Sequence, residues 1–249
     1  MRFQGKIVLI VGGNSGIGLS SAQQFAQEGA TVIVTGRAQK TLDEAVASIP
    51  GARGFQTDIA DTEALTPVVE AISREFGRLD ILFVNAGVGA FAPVRDVTPQ
   101  LWDEIHNINL RGCFFAVQKA LPLLGRGSAI VLTSSIGAEA AIPGNSIYAA
   151  SKAGLRAFAR ILAKELVADG IRVNIVSPGP IETPLIHRNI GMSDADVDAL
   201  RQIMISVVPM GRMGDPMEVA RTVLFLASDD ASFITSAEIC VDGGTLDLK

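Results

Sequence analysis

The stretch Lys6-Ile7-Val8-Leu9-Ile10-Val11-Gly12-Gly13-Asn14-Ser15-Gly16-Ile17-Gly18 decides the fold. After Lys6, five apolar residues follow one another without a polar interruption. That is the pattern of a strand covered on both faces, as in a parallel sheet. Glycines then cluster, and a helical pattern takes over from Gly16 to Glu28. The same alternation runs to the end of the chain. Further strands are predicted at Thr31–Thr35, Ala52–Thr57, Leu79–Val84, Ala129–Thr133, Arg172–Val176 and Glu238–Val241. Helices are predicted between them, at Gln39–Ser48, Asp61–Phe76, Pro99–Leu124, Tyr148–Ala168 and Pro216–Ser228. Strand–helix–strand repetition gives right-handed crossovers. The expected fold class is therefore α/β, a doubly wound parallel sheet of about seven strands with helices on both faces. The 249 residues are near the upper limit for one core. They contain no solenoid-length repeat, low-complexity segment or linker, so a single domain is expected over residues 1–249.

Composition narrows the function. Hydrophobic residues make up 48% and charged residues 19%, which excludes a disordered chain. A net charge of −5 argues against a nucleic-acid partner, which calls for a basic face. Two cysteines, Cys113 and Cys240, are too few for a disulfide framework and suit free thiols in a reducing, cytoplasmic compartment. The apolar run at Ile7–Val11 is too short for a signal-peptide core, and nothing approaches a membrane span. Two His exclude a three-histidine metal site, and no metal is expected. The mean hydropathy of +0.36 is high for a soluble chain and hints at apolar surface buried between subunits.

The glycine loop suits a dinucleotide. Between a strand and a helix, Gly12, Gly16 and Gly18 permit a tight turn and a close approach of backbone N–H groups to a pyrophosphate. The helix N-terminus adds donors and partial positive charge. The second strand ends at Thr35-Gly36-Arg37, where such folds place the adenosine ribose. Gly36 offers no carboxylate for a ribose 2′-hydroxyl, while Arg37 offers a guanidinium for a 2′-phosphate. The cofactor expected is NADP(H), ahead of NAD(H).

The only tyrosine, Tyr148, has Lys152 four positions on, and on a helix these share a face. Six of the 249 residues are Lys, so chance gives this pair in about 2% of such chains. A free phenol ionises near ~10, too high for acid/base work at neutral pH, and a nearby ammonium lowers that value. Upstream, the fifth strand ends in Thr133-Ser134-Ser135, where a hydroxyl could polarise a carbonyl; by itself Ser-Ser there is common turn chemistry. One interval breaks the rhythm. Residues 181–214 run long after a strand end, with weak helical periodicity at Val197, Leu200, Ile203, Met204 and Val207. This segment is expected to be a substrate lid.

These motifs resemble the short-chain dehydrogenase/reductase family, and the resemblance covers nearly the whole chain. The loop fits that family's Thr-Gly-x-x-x-Gly-x-Gly, with Val11 in place of the Thr. Asp58 matches its adenine-contacting Asp, and Asn85-Ala86-Gly87 its segment after the fourth strand, with Val84 where a second Asn is usual. Asn109 matches the structural-catalytic Asn. Ser135 stands 13 residues before Tyr148, the family interval for the catalytic Ser. Pro178-Gly179 and Thr183 match the nicotinamide-side motif. Gly211-Arg212, Gly214, Pro216, Glu218 and Val241-Asp242-Gly243-Gly244 also fit.

The resemblance implies a Rossmann-like enzyme that moves hydride between NADP(H) and a carbonyl or secondary alcohol. Its implied catalytic residues are Asn109, Ser135, Tyr148 and Lys152. Its implied cofactor-binding residues are Gly12, Asn14, Ser15, Gly16, Ile17, Gly18, Arg37, Asp58, Ile59, Asn85, Ala86, Gly87, Tyr148, Lys152, Pro178, Gly179, Ile181 and Thr183. The segments expected to line the pocket are mostly apolar, with Glu139, Asn145 and His187 as polar exceptions. They invite a small to medium, largely uncharged ketone. Small and apolar residues ring the helix Tyr148–Ala168, which predicts burial on two sides, by the sheet and by another subunit; the resemblance implies that the assembly is a homotetramer. The alternatives are an NAD-dependent alcohol or sugar dehydrogenase working oxidatively, a non-catalytic NADP-binding regulator, and a different Rossmann-like enzyme such as a methyltransferase. The presence of Asn109, Ser135, Tyr148 and Lys152 together disfavours the last two.

Overall fold

The computed structural model describes residues 1–184 and 194–248. The apolar runs become seven strands: β1 (Ile7–Val11), β2 (Thr31–Gly36), β3 (Arg53–Gln56), β4 (Ile81–Val84), β5 (Ala129–Thr133), β6 (Arg172–Pro178) and β7 (Glu238–Val241). All pair in parallel, in the order β3-β2-β1-β4-β5-β6-β7. The chain starts mid-sheet, builds outward to β3, then crosses back to β4 beside β1. The carboxyl ends of β1 and β4 thus flank the switch point, where such sheets bind ligands.

Side chains along β1 alternate between two cores, which is why its run is apolar throughout. Ile7, Leu9 and Val11 pack with helices α3 (Thr66–Phe76), α5 (Cys113–Ala120) and α6 (Ser146–Leu166). Val8 and Ile10 pack with α1 (Gly16–Gln27), α2 (Gln39–Ser48) and α8 (Pro216–Ala227) on the other face. The result is one α/β domain with helices on both sides of the sheet.

Two expected helices differ. The helix expected over Asp61–Phe76 begins only at Thr66. Asp58 and Asp61 instead accept bonds from the Ala60 and Glu63 amides, at 3.0 and 2.9 Å. These local bonds compete with the helix ladder. The helix expected over Pro99–Leu124 is broken into α4 (Pro99–His106), a π-helical turn (Asn107–Gly112), α5, and a 3₁₀ turn (Leu121–Leu123). Gly112 explains part of this: a Cβ there would stand 2.3 Å from the Ile59 carbonyl oxygen, so the widened turn lies directly on the loop after β3.

The long segment after β6 carries α7 (Asp194–Ser206). Val197 and Met213 are buried against Leu200, Met204 and Ile205. Ile203 and Val207, counted above in the same helical pattern, are 60% and 43% exposed. Ile181 bridges to Gly214 in parallel, so the two ends of the segment are pinned side by side. His187 lies outside the described residues. No helix among them is long and apolar enough to cross a membrane.

Candidate active site

The loop from β1 to α1 is built on close backbone contacts. Gly12 has φ +82°, and a Cβ there would meet the Ala86 Cα and N at 2.7 Å. A Cβ on Gly18 would meet the Gly12 carbonyl oxygen at 2.0 Å. Both positions exclude side chains, and the contacts lock the loop against the segment Asn85-Ala86-Gly87 after β4. The Asn85 Nδ2 donates to the Gly12 carbonyl at 3.0 Å, and the Asn85 and Ala86 amides donate to the Val11 carbonyl at 2.9 Å. Val11 itself is buried and apolar. Thr35 braces the loop from the neighbouring strand: its carbonyl accepts from the Gly13 amide at 2.9 Å and its hydroxyl from the Gly12 amide at 3.4 Å.

The free face of this loop suits an anion. Ser15 is the N-cap of α1, yet its hydroxyl caps no backbone N–H, and the first turn holds no acidic residue. The N–H groups and positive end of that helix are left without a charge partner, which favours a phosphate. Asn14 is tied to Thr41 at 2.7 Å, close against Gly36, and Thr183 packs over Gly16 (φ +52°). Arg37 is exposed and makes no ion pair among the described residues; its carbonyl accepts from Gln56 at 3.0 Å. Asp58 is exposed, and Ile59 lies against Gly112. Glycine cradle, uncapped helix and unpaired guanidinium fit a dinucleotide along the carboxyl ends of β1, β2 and β4.

The four candidate catalytic residues converge at the ends of β4 and β5. Lys152 is 3% exposed, and its ammonium donates to the Thr133 carbonyl at 2.9 Å. The Thr133 hydroxyl donates to the Asn85 Oδ1 at 3.2 Å, linking β5 to the loop after β4. A buried ammonium has to be hydrogen-bonded; Thr133 takes one of its three donors. A Cβ on Gly87 would lie 3.2 Å from the Lys152 Nζ and 3.3 Å from the Asn109 Oδ1, which brings these groups to one spot.

Asn109 is fully buried inside the π-helical turn, where helix irregularities often accompany function. Its side chain pairs with Val88 in both directions, accepting from the amide at 2.8 Å and donating to the carbonyl at 2.9 Å. It also donates to the Ser151 hydroxyl at 3.2 Å, joining α6 to the loop after β4.

Ser135 caps a 3₁₀ turn, Ile136–Ala138, and accepts from the Gly137 amide at 3.0 Å. A Cβ on Gly137 would stand 3.2 Å from the Ser135 Oγ and 3.4 Å from the Tyr148 Cε1. The hydroxyl and the phenol ring thus flank one backbone position. Asn145, 3% exposed, fixes that position by donating to the Gly137 carbonyl at 3.1 Å. Gly137, Asn145, Thr35, Thr133 and Ser151 all support the site, and of these only Asn145 stood out in the sequence. The others carry no motif; a glycine two residues after Ser135 was the single available hint.

At the end of β6, Pro178 still pairs with Val241 of β7, and the Gly179 amide donates to the Val241 carbonyl at 3.0 Å. A Cβ on Gly179 would meet the Asp242 Cβ at 2.6 Å. Cys113 is fully buried near Lys152, and burial pushes its thiol up to about 11. That leaves it without the thiolate a nucleophile requires.

The profile of a family described as enoyl-(acyl carrier protein) reductase matches residues 11–245. The chain is 39% identical over 246 residues to oxidoreductase asL5 of Sarocladium schorii, covering 98% of this chain and 96% of the relative. It is 39% identical over 250 residues to the 3-oxoacyl-(acyl-carrier-protein) reductase FabG of Thermotoga maritima, covering 98% and 99%. Among solved structures, levodione reductase superposes with a TM-score of 0.93 at 33% identity over all of both chains. The Tyr148–Lys152 pair, the cradle at Gly12–Gly18 and this similarity over the full sheet lead to one conclusion: the chain belongs to the short-chain dehydrogenase/reductase family.

Proposed function

We propose that the protein is an NADP(H)-dependent oxidoreductase that reduces a small to medium, largely uncharged ketone. The coarse chemistry, hydride transfer between a nicotinamide cofactor and a carbonyl or alcohol, follows from the family. The observation that most supports the catalytic assignment is the approach of Ser135 and Tyr148 to Gly137, with Lys152 one turn further along the same helix.

A bound nicotinamide supplies the hydride. Ser135 donates a hydrogen bond to the carbonyl oxygen, and Tyr148 passes its hydroxyl proton to that oxygen as negative charge grows there. Both interactions strengthen in the transition state, which is what accelerates the reaction. Lys152 stabilises the phenolate and holds the cofactor ribose. Asn109, tied to Val88, keeps the route from Lys152 towards solvent in place. Gly12, Asn14, Ser15, Gly16, Ile17 and Gly18 bind the pyrophosphate. Asp58, Ile59, Asn85, Ala86 and Gly87 line the adenine and ribose side, and Pro178, Gly179, Ile181 and Thr183 the nicotinamide side.

Preference for NADP(H) rests on Arg37 and on the lack of a carboxylate at Gly36. The substrate reading rests on the mostly apolar segments expected to line the crevice, in which Phe91, Ile142, Val207 and Met210 are all more than 40% exposed. Residues 181–214 are the lid in this reading, and the bridge between Ile181 and Gly214 joins its two ends. The exposed Ala153, Ala157 and Ile161 on α6 support a homotetramer, and two free thiols support a cytoplasmic setting.

The deciding experiment is an NADPH-oxidation screen against ketones, keto-esters, quinones and sugars, run beside NADH. Turnover of uncharged ketones with NADPH supports this reading. Activity confined to NAD+ with alcohols or sugars favours the oxidative alternative, and activity confined to a carrier-bound 3-oxoacyl group overturns the substrate class.

A further inference from the structure

Arg156 stands one helical turn beyond Lys152 on α6 and joins three segments that border the reaction centre. Its Nε donates to the Glu238 Oε2 at 2.6 Å, and its Nη2 donates to the Glu139 carboxylate. Glu238 opens β7, and its second oxygen accepts from the Ser177 hydroxyl at 2.5 Å. Ser177 is fully buried and immediately precedes Pro178-Gly179. Glu139 ends the turn that Ser135 begins: the Ala138 amide donates to the Ser135 carbonyl at 3.1 Å and the Glu139 amide to the Ile136 carbonyl at 3.0 Å. One guanidinium therefore connects the Ser135 turn, the Tyr148–Lys152 helix and the strand ends at Ser177.

We infer that Arg156 is a positioning residue for the reduction: by holding Glu139 against the sheet edge it fixes where the Ser135 hydroxyl sits relative to Tyr148. The inference rests on the catalytic reading of Ser135 given above. Ion pairs with this much exposure add little to global stability. A small displacement of a reacting group, in contrast, lowers rate steeply, by about a hundredfold for an ångström. The choice of arginine fits the task. Its rigid fork addresses two carboxylates at once, whereas a lysine presents a single point charge and holds one arm at a time. Asn145 pins the same turn from within at Gly137, so Arg156 refines a position already roughly set. The expected loss is accordingly partial.

The test uses the full-length enzyme with NADPH and the ketone turned over fastest in the screen above, with ethyl 3-oxobutanoate as the first probe. Arg156→Gln is expected to lower kcat about tenfold, to leave KM for the ketone within about threefold, and to leave NADPH affinity by cofactor fluorescence unchanged. Arg156→Lys recovers part of the loss. Glu139→Gln, an exposed change that spares the Glu238 arm, reproduces most of it and stands in if Arg156→Gln folds poorly. The decisive comparison is made in a Ser135→Ala background, by single turnover. There Arg156→Gln is expected to cost less than about twofold, because the group it positions has been removed. A tenfold loss persisting in Ser135→Ala, or an unchanged kcat in both Arg156→Gln and Glu139→Gln, overturns the inference alone. A native rate in Ser135→Ala overturns the catalytic reading and the inference with it.

Discussion

The Lys152 ammonium lies 5.9 Å from the centroid of the Tyr148 ring and donates to the Thr133 carbonyl at 2.9 Å. The charge is thus anchored to the sheet rather than left to follow the phenol. Tyr148→Phe removes only the oxygen, and is expected to lower kcat by about three orders of magnitude. Cofactor binding is expected to stay within twofold, as read by NADPH fluorescence titration. Turnover retained in this variant would remove Tyr148 from the acid role.

Arg37 is exposed and unpaired among the described residues. Arg37→Ala should therefore leave folding untouched and act only on the 2′-phosphate. The expected result is a rise of about tenfold or more in KM for NADPH, worth ~1.4 kcal/mol or above, with little change for NADH. Parallel Michaelis curves with the two cofactors check this. Equal effects on both would mean that Arg37 does not read the phosphate.

Gly137 is where the Ser135 and Tyr148 side chains meet. A methyl group there would sit 3.1 Å from the Asn145 amide and 3.2 Å from the Ser135 Oγ. Gly137→Ala is expected to displace the hydroxyl by a few tenths of an ångström and reduce kcat about tenfold, with Tm nearly unchanged. A substantial fall in Tm with kcat preserved would show that the crowding is relieved elsewhere.

At the start of α8, Asp215 and Glu218 form a reciprocal capping box, and Arg212 pairs with Glu218 at 2.7 Å. The Arg212 hydrogen bond, seconded by the Asp215 amide, lowers the Glu218 carboxyl to about 2. A carboxyl lowered on folding contributes stability in full above its unfolded value, near 4.5. That contribution fades as pH falls towards 2. Glu218→Gln keeps an acceptor for the Asp215 amide but removes the charge that Arg212 pairs with, and should lower Tm at pH 7 by about 1–3 °C. The gap between variant and native protein should close between pH 4.5 and 2. Thermal melts at pH 7, 4 and 2.5 measure it, and a gap that widens on acidification contradicts the assignment.

The outer side of α6 carries Ala153, Ala157 and Ile161, all exposed in the single chain, and Phe114 of α5 packs on Phe158 beside them at 4.9 Å. Light scattering at micromolar concentration should give a mass four times the 26.1 kDa chain. Ile161→Glu, which puts a charge on that face, should shift the species to smaller masses. A monomer in the native protein refutes the assembly.

Much of this architecture is readable in the sequence because the central strands are buried on both sides. An unbroken run such as Ile7–Val11 leaves few alternatives, and the spacing of Tyr148, Lys152 and Ser135 marks a candidate site whose members the fold brings together around Gly137 and Thr133. What remains hidden depends on contacts between distant segments. No periodicity betrays the π-helical turn at Asn107–Gly112, which exists because Gly112 meets Ile59 and Asn109 reaches Val88. Thr35 looks like an ordinary strand residue until its hydroxyl is found beneath Gly12. Arg156 reads as one more helix charge until its two carboxylates, 17 residues upstream and 82 residues downstream, are seen around it.

The π-helical turn also limits how this enzyme can be stabilised. Its six residues bond across five positions where an α-helix bonds across four, so the turn accommodates one extra residue. Removing a residue there would restore a regular ladder from Pro99 to Ala120 and improve local hydrogen bonding. The same deletion would leave the flanking helices nearly in register but would re-space the turn itself, carrying Asn109 off Val88 and Ser151. Efforts to raise thermostability by regularising this helix will therefore select against turnover. Gains are better sought at the far end of α3, away from the crevice.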